Sequence, residues 1–545
     1  MGREQWGAVL CPLLSAFCLL LSVLARDNGP MTTSRLAVID LGSNTARLVI
    51  YAYEVGLTYK LIDQVRERVR LAEGIDSDGE IHKFPMQRAV ETLSMFRHLC
   101  DASNVDQIIA VATSATRDAK NQAEFLRLVK KTARINLRVI SGEEEAYYGY
   151  LGMINTFQYQ DCYLFDLGGG SVQLSEVRKR RWRSGFSLPM GAVRMTERFM
   201  PDAPPTRKHI NTLRAYVASQ ISEQVAANKM TLNPSLPLIG AGGTARALAK
   251  LNQADQPYPI DHLHAYELTR GEIQTLIKQM SRLSREALAD MPGMNDERVD
   301  VILPGAIVID ELMNVGKFER LIISGAGVRE GVFFEQFLGK PNPRPAIQNL
   351  GAAPTLKNPR AFAVDNMALQ YGQSTAHARH VRKLAVQLFD QLAQTHGYRQ
   401  WERELLSDAA LLHDVGYIVN YYNHDKHSEY LITDAELPGF NHREIAIMAL
   451  IARYHRKGSP DCEPYCEVLH DDDEERVAWL SAFTRMAEYL DRGRRQVVQA
   501  VKIVFTEDEL VIETRTKGEA SMELYEAQRA SKLLAKLVNR TVRVI

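Results

Sequence analysis

The sequence predicts an α/β chain built as two matched halves around a cleft, followed by an all-α domain and a small α+β unit. The first observation behind this is a near-duplicated segment. Leu36 to Thr45 and Cys162 to Ser171 are each an apolar run ending in an aspartate, Asp40 or Asp166, then a small-residue turn, Gly42-Ser43-Asn44 or Gly168-Gly169-Gly170-Ser171. A second alternating run follows each turn, Leu48 to Tyr53 and Val172 to Val177. The pattern predicts β-hairpins whose turns bare backbone N–H groups to an anion, with a carboxylate beside them to hold a cation. A Val-Arg-apolar triplet trails each hairpin (Val69-Arg70-Leu71 and Val193-Arg194-Met195), which points to duplicated halves facing one another. A phosphate chain gripped from both sides suits such jaws.

The second observation is the alternation of strand and helix patterns. In the first half, the residues Ala89, Leu93, Phe96 and Leu99 mark an amphipathic helix, Asp106 to Ala112 a strand, and Leu137 to Ile140 a strand feeding a helix near Glu143. In the second half, strands Leu236 to Ile239 and Leu321 to Ile323 end in the glycine-rich turns Gly240 to Thr244 and Ser324 to Gly327. The third observation is a change of character after the linker Pro341-Asn342-Pro343-Arg344-Pro345. Beyond it the chain is mostly helical, with repeated histidines, to about Gln496. Two strand-like runs (Val501 to Phe505, Glu509 to Thr514) and one amphipathic helix bearing Tyr525, Ala530, Leu533, Leu534 and Leu537 close the chain. The divisions are therefore a hydrophobic extension over 1–30, half-domains over 31–158 and 159–340, a helical domain over 346–496 and a unit over 497–545.

Composition narrows the function classes. At 545 residues the chain needs roughly three to four domains. Lys and Arg total 66 against 66 Asp and Glu, so no global field favours nucleic acid, and any polyanion site must be local. Cys462 and Cys466 could pair, but six cysteines over this length make no disulfide framework, and free thiols are expected. The uncharged stretch Gly7 to Ala25 reads as upstream sequence before a true start at Met31, with a signal peptide cleaved after Ala25 or a membrane anchor as alternatives. A cytoplasmic location is expected, with membrane association only if that stretch is used.

Cleaving a phosphoanhydride requires neutralised phosphate charge and a water aimed in line with the leaving oxygen. Asp40 and Asp166 suit Mg²⁺ or another divalent cation, which prefers oxygen ligands. The two turns supply N–H and hydroxyl donors. Thr113 and Arg117, after the strand ending at Ala112, read as phosphate contacts, with Arg117 able to clamp bidentately or to serve only as a surface residue. Ser141 and Glu144 fit a capping box, which leaves Glu145 as the candidate general base.

At this point a resemblance becomes specific. Asp40-Leu-Gly-Ser-Asn, Ala112-Thr-Ser-Ala-Thr-Arg-Asp-Ala, Ile140-Ser-Gly-Glu-Glu-Glu-Ala, Asp166-Leu-Gly-Gly-Gly-Ser and Ser324-Gly-Ala-Gly-Val-Arg-Glu-Gly run in the order found in the exopolyphosphatase/guanosine pentaphosphate phosphatase family. The resemblance implies an actin-like two-lobed ATPase fold and a divalent-cation-dependent hydrolase of terminal phosphates. It further implies a catalytic Glu145, a metal- or water-positioning Asp166, and phosphate contacts from both turns and Arg117. Inorganic polyphosphate or guanosine pentaphosphate would be the substrate, and a homodimer the assembly. An actin-fold small-molecule kinase or a binding-only regulator remain alternatives, since Gly240 to Thr244 and Ser324 to Gly327 could line a nucleotide site.

The helical part resembles an HD-type metal phosphohydrolase domain. His377, His413 and Asp414 match its ligands, and Glu488 stands where a final Asp is usual. His427 and His455 follow on later helices. The family resemblance weighs toward a remnant of hydrogen-bonded histidines, with a metal-bound site as the alternative. Basic runs (Arg178, Lys179, Arg180, Arg181 and Arg183; Arg379, Arg382 and Lys383; Arg453, Arg456 and Lys457; Arg492, Arg494 and Arg495) read as solvated faces or as a track for a long polyanion.

Overall fold

In the computed structural model, residues 33–200, 204–339 and 353–545 are described. The N-terminal apolar stretch, Met31 and the proline-rich linker lie outside them. Strands β1 (Ser34–Leu41), β2 (Thr45–Glu54), β3 (Thr58–Arg68), β4 (Gln107–Ala112) and β5 (Leu137–Val139) form a sheet ordered β3-β2-β1-β4-β5. The β1–β2 and β2–β3 pairs are antiparallel, and the β1–β4 and β4–β5 pairs parallel.

The second half repeats this plan. Strands β6 (Cys162–Leu167), β7 (Val172–Arg178), β8 (Arg181–Leu188), β9 (Leu238–Gly242), β10 (Glu267–Thr269) and β11 (Arg320–Ile323) make a sheet that reads β8-β7-β6-β9-β11-β10. Its first five strands carry the same succession of antiparallel and parallel pairs, and β10 adds an antiparallel edge. The halves are thus one α/β topology used twice.

Two helices fill the space between the sheets. Gly142–Ile154 and Val328–Leu338 carry Tyr147, Leu151, Phe333 and Phe337 into a core shared with Leu36, Val38 and Tyr51 of one sheet and Leu164 and Ile239 of the other. Their axes approach closely because Gly152 and Gly331 bear no side chain. A Cβ on Gly152 would overlap the Gly327 carbonyl, and one on Gly331 the Tyr148 carbonyl. The outer face of each sheet has its own core, built around Phe96 and Phe125 in one lobe and around Leu248 and Ile307 in the other.

The helices Pro359–Gln370, Ala376–Gln391, Gln400–Leu412, His424–Asp434, His442–Tyr454 and Asp473–Leu490 surround Leu384, Leu405, Ile447, Leu480 and Phe483. The final unit shares that core through Leu510, Ile512 and Leu534 rather than making its own. Its strands β12 (Val498–Phe505) and β13 (Glu509–Thr516) are joined by β14 (Thr541–Val544), parallel to β13. The single amphipathic helix expected there is two, Ser521–Ala530 and Lys532–Val538, and Tyr525 faces solvent instead of the core. The helical domain also touches both lobes. The Asn366 amide pairs with Thr58 and Tyr59, and His442 bridges the Tyr258 hydroxyl and the His264 carbonyl. Cys462 and Cys466 are both free thiols. Among the described residues no helix is long and apolar enough to cross a membrane.

Candidate active site

Both hairpin turns close in the same way, Gly42 N–H donating to the Thr45 carbonyl at 3.0 Å and Gly168 N–H to the Ser171 carbonyl at 2.9 Å. The trailing triplets then dock on the turns from behind. Val69 and Arg70 N–H groups donate to the Asn44 carbonyl, and Val193 and Arg194 N–H groups to the Gly169 carbonyl. The turns meet across the molecule, Gly169 lying against Ser43 and Asn44, and Gly170 against Ser43 and Ser114. Side chains at either glycine would hold the turns apart. Gly242, at φ +105°, opens the helix Gly243–Gln253 at the floor of the same cleft, in a backbone conformation that favours glycine.

Asp40, Asp166 and Glu145 line this one cleft, of about 100 Å³, with Gly42, Ser43, Asn44, Thr113, Gly168, Gly169 and Ser171. The three acids of the Glu143–Glu145 run separate as the helix starts. Glu143 is exposed. Glu144 completes the capping box with Ser141 and pairs with Arg138 at 2.7 Å. Glu145, 6 % exposed, turns inward, where Arg117 Nη1 donates to its Oε2 at 3.0 Å and Ser171 Oγ approaches its Oε1 at 3.4 Å. Gln173 in turn fixes Ser171 and Ser187.

Arg117 therefore differs from the phosphate clamp expected of it. It donates to Glu145 and to the Ile140 carbonyl and stands behind that carboxylate, on the short helix Ser114–Asp118. Gly170 likewise makes room for Ser43 and Ser114 and is not among the cleft-lining residues.

Sequence reading missed the arginines. Arg47, Arg246, Arg298 and Arg329 line the cleft, together with Glu330. Arg47 could have been found by counting across the turn, since it is the register partner of Asp40 in the β1–β2 hairpin. Arg329 and Glu330 stand inside the quoted motif Ser324-Gly-Ala-Gly-Val-Arg-Glu-Gly but were given no role, whereas Arg246 and Arg298 arrive from a helix and a loop far apart in the chain, where no local spacing reveals them.

The charges in the cleft are unbalanced by burial. Burial pushes Glu145 up to about 7 against the pull of Arg117. It pushes Asp40 up to about 6 despite Arg329 and Arg47, and holds Asp166 above the usual carboxylate range despite Arg246 and Arg47. On the basic side, burial and mutual repulsion hold Arg47 and Arg246 below their ordinary values and bring Arg298 to about 10. A guanidinium stays charged in proteins, so these directions measure how strongly the wall favours an anion. The acids complement it. Asp40 Oδ1 and Asn44 Nδ2 are buried with no hydrogen-bond partner, an acceptor suited to a cation and a donor suited to a phosphate oxygen.

In the helical domain, His377, His413, Asp414 and Glu488 converge, all buried. His424 joins Asp414 and His455 in an adjoining group. His427, singled out from sequence, lies outside both. The basic runs are partly committed elsewhere. Arg180 is buried and donates to the Ile154 and Phe157 carbonyls, Arg453 pairs with Asp425 and Glu429, and Arg494 with Asp414.

A duplicated α/β fold with opposed glycine turns, an arginine wall and a buried glutamate defines a two-lobed protein with a charged central cleft. Residues 49–339 match the Ppx/GppA phosphatase family, and residues 360–529 match Ppx/GppA phosphatase, domain III; the chain belongs to that family. Among solved structures, an exopolyphosphatase from Cytophaga hutchinsonii is 26% identical, with a TM-score of 0.52, over 56% of this chain and 98% of that one. The Aquifex aeolicus Ppx/GppA family member is 28% identical over the same shares, with a TM-score of 0.49.

Proposed function

We propose that the chain is an exopolyphosphatase, hydrolysing the terminal phosphoanhydride bond of inorganic polyphosphate to release orthophosphate. The observation that carries this reading is Glu145, a carboxylate raised to about 7 between two phosphate-cradling turns. A general base works best with a pKa near the operating pH. Arg117 orients its Oε2, and Ser171 sits beside its Oε1. Glu145 would take the proton of the attacking water. Backbone N–H groups of the turns and Arg47, Arg246, Arg298 and Arg329 would hold the phosphate oxygens where negative charge develops.

Asp40 and Asp166 would hold Mg²⁺ or another divalent cation, and the orphan Asp40 Oδ1 fits that role. Such an ion supplies further neutralisation of phosphoryl charge when bound.

The cleft continues past Arg47, Arg246 and Arg329 into a cavity of about 760 Å³, which Lys60 and Arg66 also line. This supports a substrate longer than the cleft itself. The same cavity carries Tyr59, Asn366 and Gln370, ring and amide groups a nucleobase could use, so guanosine pentaphosphate is the second reading. Phosphate release from long polyphosphate without any acceptor, measured beside guanosine pentaphosphate with one sample, tests both. Release from polyphosphate is expected. No release, with phosphate transfer to an added hydroxyl acceptor, would move the chain to the kinases, and binding without turnover to the regulators.

A further inference from the structure

We infer that Asp300, held by Arg68 and Arg70 of the opposite lobe, is a positioning residue for Arg298, and that this cross-lobe anchor sets how tightly the cleft grips a phosphate chain. The inference rests on the reading of the cleft as a phosphate site. Arg298 sits on a short connection, Asn295 to Val301, ahead of the helix Ile302–Gly316. Its N–H donates to the Asn295 carbonyl at 2.7 Å, and its own carbonyl accepts from the Val301 and Ile302 N–H groups at 2.9 Å. Those bonds fold the connection but do not place it against the first lobe.

The two acids flanking Arg298 do. Asp300 Oδ2 accepts from Arg70 Nη2 at 2.8 Å and Arg68 Nη2 at 3.4 Å, both from the first lobe, while its Oδ1 accepts from Arg285 Nε at 2.6 Å. Glu297 meets Arg66 of β3 at 2.5 Å. These acids stand one residue before Arg298 and two after it, and both are drawn to the first lobe. Arg285, then Arg70 and Arg68, hold the Asp300 carboxyl below the usual carboxylate range, so the anchor is ionised at neutral pH.

The residue between them is left for the ligand. The Arg298 guanidinium lies against Gly243, where a Cβ would overlap its Nη2, and it lines the cleft with Arg246. The neighbouring carboxylates that could neutralise it are engaged with first-lobe arginines instead. The duplication supplies a second instance of this pairing. Arg70 belongs to the triplet Val69-Arg70-Leu71, and the matching Arg194 crosses the other way, its Nη2 3.0 Å from Asp118 Oδ2. Asp118 follows Arg117, which donates to Glu145. Each triplet arginine thus reaches an aspartate of the opposite lobe, close in sequence to an arginine that serves the cleft.

Field and anchoring predict opposite signs. A carboxylate near an anion site repels the ligand, so deleting its charge tightens binding if charge alone acts. Losing an anchor loosens binding, because a displaced guanidinium no longer meets the phosphate oxygens squarely.

The test is binding of imidodiphosphate, a phosphate-chain analogue that resists hydrolysis, by isothermal titration calorimetry at fixed Mg²⁺. Asp300→Asn should raise its Kd about 10-fold, and Asp300→Glu should recover most of that loss. In an Arg298→Gln chain the same Asp300→Asn change should leave Kd within about twofold, since the anchor then has nothing to position. Unchanged or tighter binding by Asp300→Asn, or an equal loss in the Arg298→Gln background, overturns the inference. If Asp300→Asn does not fold, Glu297→Gln carries the same comparison. A wild-type chain that binds no imidodiphosphate overturns the anchor and the phosphate site together. A chain that shows the expected binding pattern yet releases no phosphate from polyphosphate keeps the anchor and sinks the hydrolase reading alone.

Discussion

The interlobe cleft and the histidine cluster are both buried and both rich in charge, yet they are made of different materials. The cleft is lined by glycine turns and guanidiniums, and burial holds its carboxylates above their ordinary range. The helical cluster uses imidazoles whose other nitrogen is pinned by a carbonyl or carboxylate. A cleft of that first kind suits a hard, highly charged ligand that must enter and leave. A cluster of the second kind suits a resident ion. Perturbing the two should therefore give separable phenotypes.

The largest expected effect is on chemistry in the cleft. Glu145→Gln should fold and bind substrate while lowering kcat by about 100- to 10,000-fold, the usual worth of a positioned base. Phosphate release and an equilibrium binding assay on the same variant check this, and near-wild-type turnover would remove Glu145 from the mechanism. The same substitution should stabilise the cation-free protein at pH 8. A buried acid raised to about 7 contributes stability below its ordinary pKa that is lost as pH rises through 7, so ionised Glu145 is a burden at pH 8. Removing it should add on the order of 1–3 kcal/mol, read by chemical denaturation at pH 5 and 8.

Next in size is the helix crossing. Gly152→Ala should cost about 1–3 kcal/mol by overpacking, with a lower Tm, because its Cβ meets a backbone carbonyl that cannot turn aside.

A smaller effect is expected from Arg117→Gln. Arg117 pulls Glu145 down, so its loss should move the acid limb of kcat/KM, expected near pH 7, to higher pH. Activity at pH 9 should then recover toward wild type. A uniform rise in KM at every pH would instead restore Arg117 as a phosphate contact.

The smallest effect is on ionic strength. Added salt should weaken long polyphosphate more than tripolyphosphate, because the exposed arginines and lysines beyond the cleft are screened. Equal salt sensitivity would confine recognition to the cleft.

What could be read from sequence was what is locally determined. The Asp-Leu-Gly turns announce themselves because a tight turn and its flanking alternation lie within a few residues. Glu145 separates from Glu144 because the capping box claims the latter by rule. The arginine wall was not legible, since Arg246 and Arg329 face one another only after β9 and β11 pair side by side. His424 was passed over for His427 because its helix starts after Asn423 at φ +58°, a left-handed residue that resets which face looks inward. The break at Ser531 divides what periodicity read as a single helix.

The touching glycines, Gly152 and Gly331, set the spacing of the two helices that bring the cleft's opposite charges together. One rod carries Glu145 near its start, and the other carries Arg329 and Glu330 at its own. A side chain at either contact would wedge the rods apart and shift carboxylate and guanidinium in one displacement.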